Sequence, residues 1–149
     1  MWNKENSLTL SKVCTILFAV GLIAVMCTAP ILIKWAIGIS ATLQLSVYPY
    51  LLATIYTGSL PATFLLWFLF KLLRNLSNEI VFEQQNVRLL RSISWCCVCG
   101  AIICFISTFY YVAWVIVGIA AAFVALIVRI IKNIFAYAIA IKEENDLTI

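Results

Sequence analysis

The sequence contains no histidine, and only 11% of its 149 residues are charged. Without histidine a Cys/His zinc site is excluded, and the six cysteines do not supply the two spaced pairs that a four-thiolate site needs. Apolar residues make up 65% of the chain, against roughly 45–50% in soluble globular domains. A soluble core cannot hide this much apolar surface. We therefore expect one membrane domain, residues 1–149, whose first partner is the lipid bilayer.

Long runs without any charge predict the transmembrane helices. The first two runs are each about long enough to cross a hydrocarbon core of ~30 Å as a helix, and no signal-peptide cleavage site closes the first. The third run, 93–128, is too long for one crossing and sufficient for two. Its break is expected at the aromatic cluster 109–111. The sequence predicts an all-α protein with four spans, over about 13–33, 50–70, 93–109 and 112–131.

The distribution of charge predicts which side the termini occupy. With both termini in the cytoplasm, nine of the ten basic residues lie on the cytoplasmic side and only Lys34 lies outside. All six acidic residues also fall on the cytoplasmic side. We expect cytoplasmic segments over 1–12, 71–92 and 132–149, and almost no mass on the opposite side.

No predicted span contains a carboxylate, the group with which small proton-coupled carriers exchange a proton for substrate. A small transporter or an immunity-type protein that handles a lipid or an amphipathic peptide is the alternative function. It requires a polar cavity between the spans. The hydroxyl groups available for such a cavity are those of Thr28, Thr54, Thr57, Thr63, Ser107 and Thr108.

Cys96 and Cys99 form a C-x-x-C pair, which is compatible with thiol redox chemistry or with half a metal site. The pair lies near the reducing cytoplasmic end of the third span, and no cysteine lies on the outer side. We favour packing, because cysteine also serves as a small apolar residue. No catalytic set is present, so neither enzymatic activity nor a cofactor is expected.

The fourth helix is expected to continue past the membrane, from about 112 to 141, with Ile134 and Phe135 on one side and Arg129 and Lys132 on the other. Arg129 and Lys132 are candidate ligands for an anionic lipid headgroup or a partner's carboxylate, with simple snorkelling as the alternative. The small residues 118–122 would serve packing within the bundle or a homo-oligomer.

The longest polar stretch, NEIVFEQQNVRLLRSISW, has helical periodicity. Leu89, Leu90 and Ile93 share one side, Arg88 and Arg91 share the other, and Asn86 intrudes on the apolar arc. We predict an amphipathic cytoplasmic helix between spans 2 and 3. Its apolar stripe would lie on the membrane, dock on the extension of the fourth helix, or receive a partner.

Two segments, FEQQNVRLLRSISW and IKEENDLTI, resemble the bacterial inner-membrane family called domain of unknown function 2975. Gln85 stands where a glutamate is commoner in the family. The resemblance implies a multi-pass protein of the bacterial cytoplasmic membrane, encoded beside a Cro-like helix-turn-helix regulator. It implies a cytoplasmic face that binds this regulator, without direct contact to nucleic acid. The candidate partner-binding residues are Phe82, Asn86, Arg88, Arg91, Glu144, Asn145, Asp146, Leu147, Thr148 and Ile149.

Overall fold

The described part of the chain forms four long α-helices. The computed structural model describes residues 4–39, 44–78 and 83–146. Each of the four described helices is long and apolar enough to cross a membrane, so the prediction of an all-α chain with four span-length helices is confirmed. A single 3₁₀ turn, Leu45–Val47, precedes the second helix. The helices are α1 (Lys4–Ile39), α2 (Tyr48–Ser77), α3 (Gln84–Ser107) and α4 (Trp114–Asp146).

One proline lies at the start of a helix and two lie inside helices. Pro49 lies in the first turn of α2, where its missing N–H costs little. Pro61 lies inside α2 and Pro30 inside α1, yet both helices continue through them, as helices in lipid tolerate. The turns between α3 and α4 occupy 108–113, which includes the aromatic cluster where the break was expected.

The helices pack in chain order, with α2 against α1, α3 against α2 and α4 against α3. The hydrogen-bonded pairs Asn75–Asn86 and Thr54–Ser107 are 21 residues apart on both α2 and α3, as antiparallel alignment requires. The start of α3 therefore lies at the same end of the molecule as the ends of α2 and α4. We call this end, which carries Lys71, Arg74, Arg88, Arg91, Arg129 and Lys132, the basic end.

The main cluster of buried side chains lies between α2, α3 and α4, toward the basic end. Leu89, Leu90 and Ile93 are all buried there, so the apolar stripe of the polar stretch docks inside the protein. Along the rest of the helices, large apolar side chains face outward, as the 71% exposure of Phe18 and the 63% exposure of Phe123 illustrate. Such a surface is suited to lipid rather than to water.

Candidate functional site at the basic end

The predicted amphipathic segment is helical from Gln84 onward, and it leads directly into the third long helix. Residues 84–92 form the first turns of α3 and continue without a break into its apolar part. Glu83 has the extended backbone of an N-cap residue (φ −125°, ψ 145°), and α3 begins directly after it. Because these turns are rigidly joined to α3, the outward positions of Arg88 and Arg91 are determined by the packing of the whole helix.

Asn86 explains why a polar residue interrupts the apolar side of these turns. Its side chain is completely buried, and its Oδ1 accepts a hydrogen bond from Asn75 Nδ2 on α2 at 2.9 Å. A buried amide is tolerated when it is hydrogen-bonded. Within the candidate partner-binding set, Asn86 has no exposed surface for a partner to touch. It joins the end of α2 to the start of α3 and so positions the residues that are exposed.

A basic cavity of about 320 Å³ lies between α3 and α4. Three cationic side chains from two helices line it, and no carboxylate is among its lining residues. Ser94 joins the two helices beside it, because its Oγ donates a hydrogen bond to the carbonyl oxygen of Ala125 at 3.1 Å. The structure thus brings Arg91 together with Arg129 and Lys132 of α4, the two residues predicted to bind a lipid headgroup. The lining residues are Arg91, Ser94, Trp95, Val98, Arg129 and Lys132.

Sequence reasoning assigned Arg91 and Arg129 to different sites and did not include Trp95 among the candidate site residues. The sequence feature that links Trp95 to Arg91 is their four-residue spacing, which places both side chains on one face of α3. The pairing of that face with Arg129 is a tertiary contact, which helical periodicity cannot predict.

The sides of α4 differ from those predicted. Lys132 was expected opposite Phe135, but both are partly buried, while Ile130, Ile134 and Ile141 are exposed. The residues turned toward the protein recur at spacings of three and four, as in a helix packed along a seam. The reason is that apolar side chains can face lipid, so apolarity alone does not mark the packed side of a membrane helix. The seam consists of Ala125, Val128, Lys132, Phe135 and Ile139.

The C-terminal candidates lie well beyond the basic cavity. Glu144 and Asn145 are exposed residues of α4, twelve or more residues after Lys132, which places them about 18 Å further along the axis. Continuous helix therefore keeps these two residues apart from Arg88 and Arg91. Asp146 is the last residue of α4. Phe82, Leu147, Thr148 and Ile149 lie outside the described residues, and their predicted role in partner binding stays a prediction.

The hydroxyl groups that a transport cavity would need are used within the helices. Each has a backbone carbonyl one turn earlier as a hydrogen-bond partner, and Thr54 Oγ1 also lies 2.9 Å from Ser107 Oγ. A cavity of about 300 Å³ between the helices is lined mostly by apolar residues, with Thr54 and Ser59 among the few polar ones. Of the six predicted hydroxyl groups, only that of Thr54 lines this cavity, so it is not the polar cavity that the alternative function requires. The bonded hydroxyls are those of Thr28, Thr54, Thr57, Thr63, Ser107 and Thr108.

The described cysteines are free, and on α3 Cys96 is partly buried, Cys97 is buried and Cys99 is exposed. Within the described ranges, no group of histidine, cysteine and acidic side chains is arranged to hold a metal ion. The choice between packing and redox chemistry for Cys96 and Cys99 stays a prediction.

Four span-length helices with a charged end define a protein of the multi-pass membrane type. The profile of the family described as "Protein of unknown function (DUF2975)" matches residues 11–149, and the chain belongs to that family. This confirms the resemblance carried by FEQQNVRLLRSISW and IKEENDLTI. No curated protein and no solved structure matches the chain significantly.

Proposed function

We propose that this chain is a non-enzymatic protein of the bacterial cytoplasmic membrane whose cytoplasmic face binds a protein partner. Both termini and the basic end lie in the cytoplasm in this proposal, because the basic residues are concentrated there. The partner expected from the family resemblance is a small helix-turn-helix regulator. The protein would hold the regulator at the membrane and make no contact with nucleic acid itself.

One observation carries the proposal: α4 is too long for the membrane. Its 33 residues make a helix of about 50 Å. Even at a steep tilt of about 40° such a helix spans about 38 Å, which exceeds a hydrocarbon core of ~30 Å. The stretch from Trp114 to Lys132 already covers about 27 Å. With the span ending at the charged residues Arg129 and Lys132, the residues that follow, 133–146, make about 21 Å of helix that extends into the headgroup layer and the water beyond it.

This extension carries an apolar stripe that the described residues of the chain leave uncovered. Ile134, Tyr137 and Ile141 follow one another at spacings of three and four, and they are 61%, 72% and 51% exposed. By contrast, Ile139 on the inner side of the same segment is only 3% exposed. An apolar stripe on a helix that stands in water is a typical docking face for a helical partner. We call these three residues the α4 stripe.

Site-specific photo-crosslinking tests the proposal. A benzophenone amino acid would be introduced in place of Tyr137, and in place of Phe123 as a matched control. Phe123 lies two heptads earlier on nearly the same face of α4 and is similarly exposed, at 63%, but it is only about 14 Å along the helix from Trp114 and so lies within the proposed span. We expect the regulator encoded beside the protein to crosslink from position 137 and not from position 123.

Two substitutions complete the test. Tyr137→Glu should reduce co-purification of the regulator at least tenfold, because a carboxylate would be forced against an apolar contact. Asn133→Glu, at an exposed position beside the stripe, should leave it nearly unchanged. A regulator that remains soluble when the membrane protein is present, and that does not crosslink at 137, contradicts the proposal.

The proposed sidedness is tested separately. In a variant without native cysteines, Arg74→Cys and Lys34→Cys each place one exposed thiol at an opposite end of the molecule. A membrane-impermeant maleimide added to intact cells should label position 34 and not position 74. Labelling at 74 in intact cells would mean that the basic end faces outward.

A further inference from the structure

We propose that the basic cavity, together with an apolar groove that continues from it between α3 and α4, binds one molecule of an anionic phospholipid. The phosphate would lie among Arg91, Arg129 and Lys132, and an acyl chain would lie in the groove. The site does not depend on the α4 stripe or on the regulator, so it can be tested on the purified protein alone.

The first step of the argument is charge. Arg91, Arg129 and Lys132 bring three positive charges to one cavity whose other lining residues are uncharged. Positive charges that line one cavity repel each other, and the partial burial of Lys132 increases the free-energy cost of this repulsion. No carboxylate lines the cavity to offset this repulsion. A bound anion of charge −1 or −2 would offset it, and arginine guanidinium groups suit phosphate oxygens geometrically.

The second step is the apolar groove, which has a volume of about 290 Å³ and shares Ser94, Val98 and Arg129 with the basic cavity. It follows α3 from Ser94 to Phe105, a distance of about 16 Å along the helix. That is the depth of one leaflet in a hydrocarbon core of ~30 Å. Helix α4 forms the other wall of the groove, where small side chains such as that of Ala122 leave room for a ligand.

The third step is the position of the site in the membrane. Trp95 lines the cavity and is 61% exposed, and tryptophan favours the interface between hydrocarbon and headgroups. The basic cavity therefore lies at headgroup depth while the groove lies at acyl-chain depth. A soluble anion would use only the cavity, whereas a phospholipid fills both parts, and for this reason we assign the site to a phospholipid.

The number of cations indicates which phospholipid binds best. One phosphodiester, as in phosphatidylglycerol, neutralises one of three charges, whereas the two phosphates of cardiolipin neutralise two. Basic pockets between transmembrane helices at the cytoplasmic surface are suited to such headgroups. We therefore expect the order of affinity to be cardiolipin, then phosphatidylglycerol, with phosphatidylethanolamine and phosphatidylcholine far behind.

Native mass spectrometry of the detergent-purified protein, titrated with these four lipids, tests the proposal. Each of Arg91→Gln, Arg129→Gln and Lys132→Gln should weaken cardiolipin binding about fivefold, and the triple variant about 100-fold. Arg88→Gln is the matched control, because Arg88 is exposed on the same helix less than one turn from Arg91 but does not line the cavity. It should change the affinity less than twofold.

Two further measurements separate a lipid site from a general anion site. Ala122→Phe should fill the groove and weaken cardiolipin at least tenfold without removing any charge. Water-soluble glycerophosphoglycerol should fail to displace cardiolipin at millimolar concentration. Equal binding of anionic and zwitterionic lipids, an equal loss in Arg88→Gln, or unchanged binding in Ala122→Phe would each overturn the proposal. Unaltered thermal unfolding of the single variants would show that they are folded.

Discussion

The buried pair Asn75–Asn86 should be the most sensitive polar contact at the basic end. Asn86→Ala removes a hydrogen bond of 2.9 Å from a residue with no exposed surface. The hydrogen bond itself contributes about 0.5–1.5 kcal/mol, and an amide left without its partner adds about 1 kcal/mol. The cost of leaving the Asn75 amide without its partner is near the low end of the range of about 1–3 kcal/mol, because Asn75 is only partly buried. We expect a loss of about 2 kcal/mol in the free energy of unfolding.

Reversible unfolding in mixed micelles with increasing dodecyl sulfate, followed by tryptophan fluorescence, measures this loss. Asn133→Ala is the control, because Asn133 is an exposed asparagine at the same end of the molecule and should cost no more than about 0.5 kcal/mol. The double variant with Asn75→Ala should show a coupling energy of about 0.5–1.5 kcal/mol.

Asn86→Asp makes the prediction more specific. It keeps an acceptor for Asn75 Nδ2 but introduces a carboxylate where no solvent reaches, so at neutral pH it should destabilise more than Asn86→Ala. If Asn86→Ala unfolds like the Asn133 control, or if the two asparagines show no coupling, the account of how α3 is joined to α2 is refuted.

Two other predictions follow from the packing of α3. A Cβ atom at Gly118 would lie 3.2 Å from two ring carbons of Phe105, so Gly118→Leu should cost about 1–3 kcal/mol in the same unfolding assay. Gly21→Leu, where a Cβ atom would meet nothing within 4 Å, should cost less than about 0.5 kcal/mol, and equal losses would contradict the argument. A charged maleimide should modify neither Cys96 nor Cys99 in native membranes, because Cys96 is partly buried and the exposed Cys99 would face lipid, although both should react after denaturation. Rapid labelling in the native state would favour the redox hypothesis over packing.

The small-residue stretch 118–122 illustrates a choice that the sequence left open. It was compatible with packing inside the bundle and with a homo-oligomer. Gly118 is buried against Phe105 and Cys104 of α3, and Ala122 lines the groove between α3 and α4. Gly118 and Ala122 therefore face α3 of the same chain. The formation of a homo-oligomer stays a prediction, and these two residues do not support it.

The sequence by itself determined the number of helices, their approximate positions and the charged character of one end. These features follow from the length of uncharged runs and from the cost of placing charge in hydrocarbon, both of which are local properties of the chain. The apolar side of residues 84–93 was also predictable, because these turns alternate polar and apolar residues with helical periodicity and the apolar ones pack inside the protein.

Only the tertiary structure decided which side of α4 faces the protein and which basic residues share a cavity. In a soluble protein the apolar side of a helix is the buried side, but lipid accepts apolar side chains as readily as a protein interior does. Periodicity therefore placed Lys132 opposite Phe135, whereas packing turned both of them inward. The meeting of Arg91 with Arg129 and Lys132 depends on the antiparallel register of α3 and α4, and that register is determined by side-chain packing between helices far apart in the sequence.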